Sequence, residues 1–280
     1  MFKQFYDVVK PYQPFEEQDL KMLMLSSSLW FVLYMAITVV PIPFKNVFTP
    51  LKLREERDIQ NRITSAVHGT VLMVFAGYQF YFAPGQCGDA NTQYEKNLLC
   101  LSVGYFVYDF ILMAYHGLLD MTMILHHTIT ATGMSLALIQ GVSGNLVVGG
   151  MFIAEVSNPP MHIRVILKHL GLRHTKAYES CEISFILLYT FGRLLMGVFQ
   201  VWSTCSCEPA HFLVKGAAVG LLLQSVFFIR QMIGILRKRF VEMADRKMKK
   251  IKIRWFSPLN KHELEVLGLD KSSRDKQVSL

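Results

Sequence analysis

The chain has 280 residues, of which 52% are hydrophobic, and it carries a net charge of +8. Its 20 Phe and 15 Met exceed what a water-soluble domain of this length usually needs, and they favour an integral membrane protein. The basic residues lie between apolar runs and in the C-terminal tail, which is typical of contact with lipid headgroups and argues against nucleic-acid binding.

Seven apolar segments are long enough to cross a bilayer, since a transmembrane helix needs about 20 apolar residues. The predicted spans are residues 22–42, 63–83, 98–116, 121–142, 145–167, 181–203 and 212–236. Pro41 and Pro43 close the first span, and Asn158-Pro159-Pro160 distorts the fifth. The sequence therefore predicts an all-α integral membrane protein with about seven transmembrane helices.

Lysine and arginine accumulate on one side of these spans. The basic segments 45–62, 164–176 and 237–280 carry 22 of them, whereas the segments on the other side carry 4. Because basic residues concentrate on the cytoplasmic side, we expect an external or lumenal N-terminus and a cytoplasmic C-terminus. The lysine-rich tail around Trp255-Phe256 is expected to lie on anionic headgroups, with a simple flank of the last span as the alternative.

Three cysteines fall in the predicted outer loops. In an oxidising compartment Cys87 could pair with Cys205 or Cys207, and three free thiols are the alternative. Cys205, Cys207 and His211 are only three candidate zinc ligands in a short loop, so no metal site is expected.

Ionisable side chains inside the spans mark a candidate functional site, because they are costly in lipid. Asp109, His116, His126 and His127 fall on the hairpin of the third and fourth spans. The predicted spans place Glu155 and Arg193 near the middle of the membrane on separate helices, where we expect them to pair or to face a polar cavity.

Three chemistries could use these histidines. Metal-dependent oxidation is disfavoured, because the chain has too few suitably placed histidines for a di-iron site. A proton or ion pathway is possible, although no internal repeat is visible. In acyl transfer, a neutral imidazole would take a proton from an amine or hydroxyl while an acidic residue orients it.

The two adjacent histidines differ in their helical neighbours. Thr130, Ala131 and Met134 follow His127 at one and two turns, and they make a small and flexible lining suited to a lipid passage. We therefore expect His127, more than His126, to face the lipid.

Several short motifs resemble a known family. They are Asn61-Arg62 with His68, Gly104-Tyr105 with Asp109, His126-His127, Ala154-Glu155-Val156-Ser157-Asn158-Pro159, and Arg193 before an aromatic stretch. In this order they resemble the TLC domain shared by TRAM, Lag1 and CLN8 proteins, and most of all the TLC domain-containing proteins outside the ceramide synthase branch.

The resemblance covers residues 55–240. It leaves residues 1–54 as an N-terminal segment with the first transmembrane helix and residues 241–280 as a basic cytoplasmic tail. It implies six helices in a barrel-like bundle around a lipid-accessible tunnel that the paired histidines face. From the residues and the resemblance together, the candidate catalytic residues are His126, His127, Asp109 and Glu155, and the candidate lipid-binding residues are His68, His116, Asn158 and Arg193.

The chain departs from the ceramide synthases in the span after the paired histidines. Those enzymes have His-Asp and a further Asp where this chain has Ala154-Glu155 and Asn158. We therefore expect a protein of lipid metabolism or membrane lipid homeostasis that binds or acts on membrane lipids. One alternative is an acyl-CoA-dependent N-acyltransferase like the ceramide synthases, with acyl-CoA as cosubstrate and no cofactor. Another is an accessory structural subunit of a larger membrane complex with membrane protein partners.

The expected location is the endoplasmic reticulum or another endomembrane. The plasma membrane and a mitochondrial membrane are the alternatives.

Overall fold

A computed structural model of the chain describes residues 15–40 and 50–269. Within these ranges the named elements are all helices, and a π-helical segment, Thr190–Met196, joins α7 to α8. The α-helices are α1 (Glu17–Val39), α2 (Leu53–Phe82), α3 (Gln93–Tyr115), α4 (Met121–Gln140), α5 (Gly144–Glu155), α6 (Asn158–His169), α7 (Lys176–Tyr189), α8 (Gly197–Ser206), α9 (Phe212–Met248) and α10 (Lys261–Val266). The predicted closure of the first span by Pro41 and Pro43 lies outside the described residues.

Five helical stretches are long and apolar enough to cross a membrane: α1, α3, α4, the continuous stretch from α7 to α8, and α9. They correspond to the first, third, fourth, sixth and seventh predicted spans. The prediction of an all-α membrane protein is therefore confirmed.

The second predicted span lies within α2, which is not among these stretches because polar side chains such as His68 and Gln79 interrupt its apolar part. Its first turns are charged. The helix extends into this charged segment because its polar groups are satisfied locally. Glu55 accepts a hydrogen bond from the amide of Lys52, and Asp58 accepts one from Arg62 one turn later.

The fifth predicted span is divided between α5 and α6, which have 12 residues each. The division follows from Pro159 and Pro160, which lie in the first turn of α6. Proline is tolerated there because first-turn amides have no partner within the helix. The break lets the end of α5 turn Glu155 towards the interior, where it is buried.

A glycine allows α1 to pack closely along α3. A Cβ atom on Gly104 would lie 2.5 Å from Ser26 Oγ and 2.9 Å from the amide nitrogen of Ser27. Ser26 Oγ and Trp30 Nε1 both donate to the carbonyl of Leu101. The first span is thus bound to the bundle by close backbone approach as well as by hydrogen bonds.

The other main contacts place α2 against α5 and α6, and α4 against α9. The largest apolar core lies between α1, α2, α3, α4 and α5, and it includes Leu72, Leu99, Val103, Met134, Leu138 and Val148. This core positions the polar side chains of α2, α3 and α4 that are described below.

A disulfide links the α2–α3 connection to the end of α8. It joins Cys87 to Cys207 and leaves Cys205 as an exposed free thiol. Of the two predicted partners of Cys87, the structure selects Cys207, at the end of the bundle predicted to be external or lumenal.

The opposite end is joined by ion pairs. Glu182 of α7 accepts hydrogen bonds from Arg164 of α6 and Arg239 of α9, at 3.2 Å and 2.6 Å. The helix α9 continues past residue 241, the predicted start of the tail, to Met248. The chain then returns to α7, where the amide of Lys176 donates to the carbonyl of Arg254.

Candidate functional site

Polar side chains of α2 and α3 face each other inside the apolar core, where they form a ladder of three hydrogen bonds between the two helices. The polar residues recur at helical spacing on each helix, so each set lies on one face. They are Asn61, Ser65 and His68 on α2, and Ser102, Tyr105 and Asp109 on α3. The rungs between them are Asn61 Nδ2 to Asp109 Oδ1 at 2.7 Å, Tyr105 Oη to Ser65 Oγ at 2.8 Å, and His68 Nε2 with Ser102 Oγ at 3.2 Å. All six side chains are buried.

His127 extends this ladder to α4. Its Nε2 lies 2.7 Å from Asp109 Oδ2, and its Nδ1 donates to the carbonyl of Met123 at 2.9 Å. Because a carbonyl can only accept, the Nδ1 position keeps its proton, and any second ring proton lies between Nε2 and the Asp109 carboxyl group. Both ring nitrogens are therefore engaged inside the protein, and neither is free to serve a ligand.

A cavity of about 130 Å³ lies beside the ladder, between α3, α4, α5, α8 and α9. It follows the seam between α4 and α9, on which Gly133 faces Ala217 and Ile129 faces Gly220. His126 lines the cavity, and the next residue, His127, does not. The expected orientation of the two histidines is thus wrong. The bond to Asp109 turns His127 towards α3, and the rotation of about 100° between adjacent residues directs His126 to the cavity.

Glu155 and Arg193 line the cavity together with His126. The carboxylate Oε2 of Glu155 accepts a hydrogen bond of 2.7 Å from Asn158 Nδ2, just after the helix break. Arg193 Nη2 donates to the carbonyl of Ala154 at 3.2 Å. Among the described residues no ion pair joins Glu155 to Arg193 within 4.0 Å, so of the two predicted arrangements the structure shows the second, in which both residues face a cavity.

Arg193 retains unused hydrogen-bonding capacity. Its guanidinium carbon lies 5.6 Å from the ring centre of Tyr189, and its Nε is buried without a hydrogen-bond partner in the described part of the chain. The residue belongs to the π-helical segment, where Gly192 closely approaches the carbonyl of Ile153. A π-helical turn changes the angular position of the residues that follow, which explains how Arg193 reaches the end of α5.

The remaining predicted site residues lie outside the cavity wall. Asn158 supports Glu155, and His68 is stacked on Tyr105 with its Nε2 on Ser102, which does line the cavity. His116 lies apart at the end of α3, where its Nε2 is 3.0 Å from the hydroxyl of Tyr34.

Thr130, predicted to line a lipid passage, does line the cavity, whereas Ser102 and Gln200 also line it and were not predicted. Asn61 belongs to a predicted motif, but its role of holding Asp109 was not predicted. A usable signal was present for Ser102 and Asn61, which share a helix face with Asp109 and His68 respectively. Gln200 gave no such signal, because its position depends on the packing of α8 against α5.

The cavity thus offers both polar and apolar surfaces. His126, Glu155 and Arg193 supply an imidazole, a carboxylate and a donor without an acceptor, whereas Met134, Met151 and Val214 supply apolar surface along the seam. Such an arrangement can hold the polar group of a lipid and part of an alkyl chain. In the described part of the chain no group of three His, Cys, Asp or Glu residues could hold a metal ion.

Comparisons with known proteins agree with this membrane architecture. TLC domain-containing protein 1 of Gallus gallus is 25% identical over 150 residues, which cover 51% of this chain and 58% of that relative. The chain therefore aligns with little more than half of the relative's length. No solved structure matches. The family model of the TLC domain matches residues 58–236, and the chain thus belongs to the family of TLC-domain membrane proteins that includes TRAM, Lag1 and CLN8.

Proposed function

We propose that this protein binds a membrane lipid in the cavity between α4, α5 and α9, and that it serves membrane lipid metabolism or homeostasis, with which the TLC domain is associated. The observation that carries the proposal is the unpartnered Nε of Arg193 in the wall of an otherwise largely apolar cavity. A guanidinium group inside a membrane-spanning stretch is costly unless it has a partner. An oxygen atom of a lipid headgroup or ester would supply the missing acceptor.

The shape of the cavity supports a lipid rather than a small polar solute. The lining residues of α9 run from Val214 to Ser225, which corresponds to about 16 Å along a helix at 1.5 Å per residue. His126 lies at the Ser225 end, since Gln224 donates to the carbonyl of Thr122, one turn before His126. The polar group of the lipid would therefore lie at one end of the seam, with its chain directed towards the disulfide end.

The test is to fill the cavity without disturbing its polar residues. A Cβ on Gly150 would make only an ordinary contact of 3.8 Å with Gln200, so Gly150→Leu places a side chain in the cavity. Gly216→Leu is the matched control, because a Cβ on this exposed glycine of α9 meets nothing within 4 Å. Both changes replace a helical glycine with a good helix former.

The readout is photocrosslinking in cells fed an alkyne-tagged fatty acid that carries a diazirine, followed by mapping of the labelled peptides. We expect labelling of the cavity-lining parts of α4 and α5 in the wild type and in Gly216→Leu, and its loss in Gly150→Leu. Labelling confined to lipid-facing surfaces in all three proteins would refute the proposal and would favour a structural subunit of a larger complex.

A second candidate function is acyl transfer, which is favoured because His126 and Glu155 line the same cavity. In this reading His126 takes the proton of an amine or hydroxyl nucleophile, and acyl-CoA is the acyl donor. The test is product formation by the purified protein from acyl-CoA and membrane-extracted lipid. His126→Ala and His126→Gln should both abolish the product at unchanged protein yield, because glutamine cannot accept and return a proton. Product formation by His126→Gln would exclude this role of the histidine.

The compartment proposed is the endoplasmic reticulum or another endomembrane. The Cys87–Cys207 disulfide supports this location, because its loops would then lie in an oxidising lumen.

A further inference from the structure

A half-buried lysine at the end of the bundle opposite the disulfide has no counter-charge in the part of the chain that the structure describes. Lys168 lies in the last turn of α6. Among the described residues no carboxylate lies within 4.0 Å of its Nζ. Burial, and then the neighbouring Arg173, Arg164 and Arg62, lower the pKa of Lys168. Its surroundings are thus positively charged.

The carboxylates nearby are already used by the arginines. The pairs are Arg62 with Asp58 at 2.9 Å, Arg164 with Glu182 at 3.2 Å, and Arg173 with Glu242 at 3.0 Å. Arg239 also binds Glu182 and Glu242, so four arginines share three carboxylates, and Lys168 adds a further positive charge. We call Lys168 with Arg62, Arg164 and Arg173 the Lys168 cluster.

Two further groups at this cluster lack partners. Arg164 Nε is buried without an acceptor in the described part of the chain. His162 of the same helix lies near Arg62 and is buried with only 8% exposure, and its Nδ1 makes no hydrogen bond to the described residues. Buried polar groups without partners are uncommon, and they often indicate a missing ion or ligand.

The chemistry of the cluster points to one kind of ligand. Arginine and lysine together bind phosphate through several charge-assisted hydrogen bonds, and a phosphate group can neutralise more than one cation. We propose that the Lys168 cluster binds a phosphate group at the end of the bundle predicted to be cytoplasmic. This phosphate belongs either to a headgroup of the adjacent leaflet or to a water-soluble phosphate compound. The proposal does not depend on the cavity or on its lipid.

The test uses the full-length protein in nanodiscs of phosphatidylcholine. One arm adds sodium pyrophosphate, with potassium chloride at equal ionic strength as the reference, so that general screening is excluded. The other arm replaces part of the phosphatidylcholine with phosphatidic acid. The readout in both arms is the midpoint of thermal unfolding.

The variants are Lys168→Gln and, as a matched loss of one positive charge, Lys238→Gln on an exposed position of α9. We expect one of the two probes to stabilise the wild type and Lys238→Gln. Lys168→Gln should bind that probe with an affinity that is lower by a factor of about ten or more. A response to pyrophosphate identifies a soluble ligand, and a response to phosphatidic acid alone identifies a headgroup.

The variants also differ without added phosphate. Lys168→Gln should then be at least as stable as the wild type, because it removes a charge from among like charges. Equal responses of Lys168→Gln and the wild type, or no response of the wild type to either probe, would overturn the proposal.

Discussion

The two adjacent histidines should differ strongly in their contribution to stability, because they face different surroundings. His127→Ala removes a buried ring whose Nε2 lies 2.7 Å from the Asp109 carboxyl group, and it leaves that group with Asn61 as its remaining partner. Breaking a buried charged pair costs roughly 3–5 kcal/mol. Hydrogen bonds between membrane helices contribute only about 0.6 kcal/mol on average. A loss of roughly 3–5 kcal/mol in the free energy of unfolding would therefore indicate that a buried charge has been left without its partner. His126→Ala truncates a ring that lines a cavity, and it should cost less than about 1 kcal/mol.

The assay is thermal unfolding of the purified variants in one detergent, with Asp109→Ala and the double variant Asp109→Ala/His127→Ala completing a double-mutant cycle. For a chain of this size, a loss of 3 kcal/mol lowers the midpoint by roughly 5 °C. We expect such a shift for His127→Ala and for Asp109→Ala, with the double variant losing less than the sum of the two. Equal shifts for His126→Ala and His127→Ala, or strictly additive losses in the cycle, would refute this assignment of the two rings.

Three further predictions follow from other parts of the bundle. Gly104→Ala should destabilise the protein by roughly 1–3 kcal/mol in thermal unfolding, because its Cβ would meet α1 at 2.5 Å, whereas Gly216→Ala on an open face should be neutral or stabilising. Burial raises the pKa of Asp58, but hydrogen bonds from its histidine and arginine partners outweigh it and lower the pKa from 3.8 to about 2. Because the folded value lies below the unfolded one, this stabilisation is present above about pH 4 and is lost as the pH falls towards 2; Asp58→Asn should show a flatter stability profile in that range. Finally, a membrane-impermeant maleimide should label Cys205 without reductant, and Cys205→Ser should abolish outer-loop labelling until the disulfide is reduced; labelling of the serine variant without reductant would mean that the other two cysteines are not paired.

Hydropathy and local signals were sufficient for most of the membrane-spanning helices. The apolar runs of about 20 residues predicted five helical stretches that the structure contains, since a helix is the way to satisfy every backbone group in lipid. The interruption at Pro159-Pro160 was also visible, because proline cannot continue a helix from its interior. The early start of α2 was missed, because its first turns are charged and are stabilised by side-chain pairs rather than by burial.

The sequence also showed which residues would be costly to bury, and it could not show their partners. Asp109, His126, Glu155 and Arg193 all stood out as ionisable groups in apolar segments. Depth alone left two arrangements open for Glu155 and Arg193, a direct pair or a shared polar cavity. The structure shows the second, and Asn158, only three residues from Glu155, donates to its carboxylate.

What the sequence by itself determined about this protein is its class, its helices and its set of polar candidates, because hydropathy and helical periodicity are local properties of the chain. Only the tertiary structure decided which of two adjacent histidines faces the cavity. That choice depends on the rotation of α4 about its axis, and the rotation follows the bond from His127 to Asp109, a residue of α3 that is itself held by Asn61 of α2. Contacts between helices far apart in the chain thus set the direction of each side chain, and periodicity within one helix cannot fix that direction.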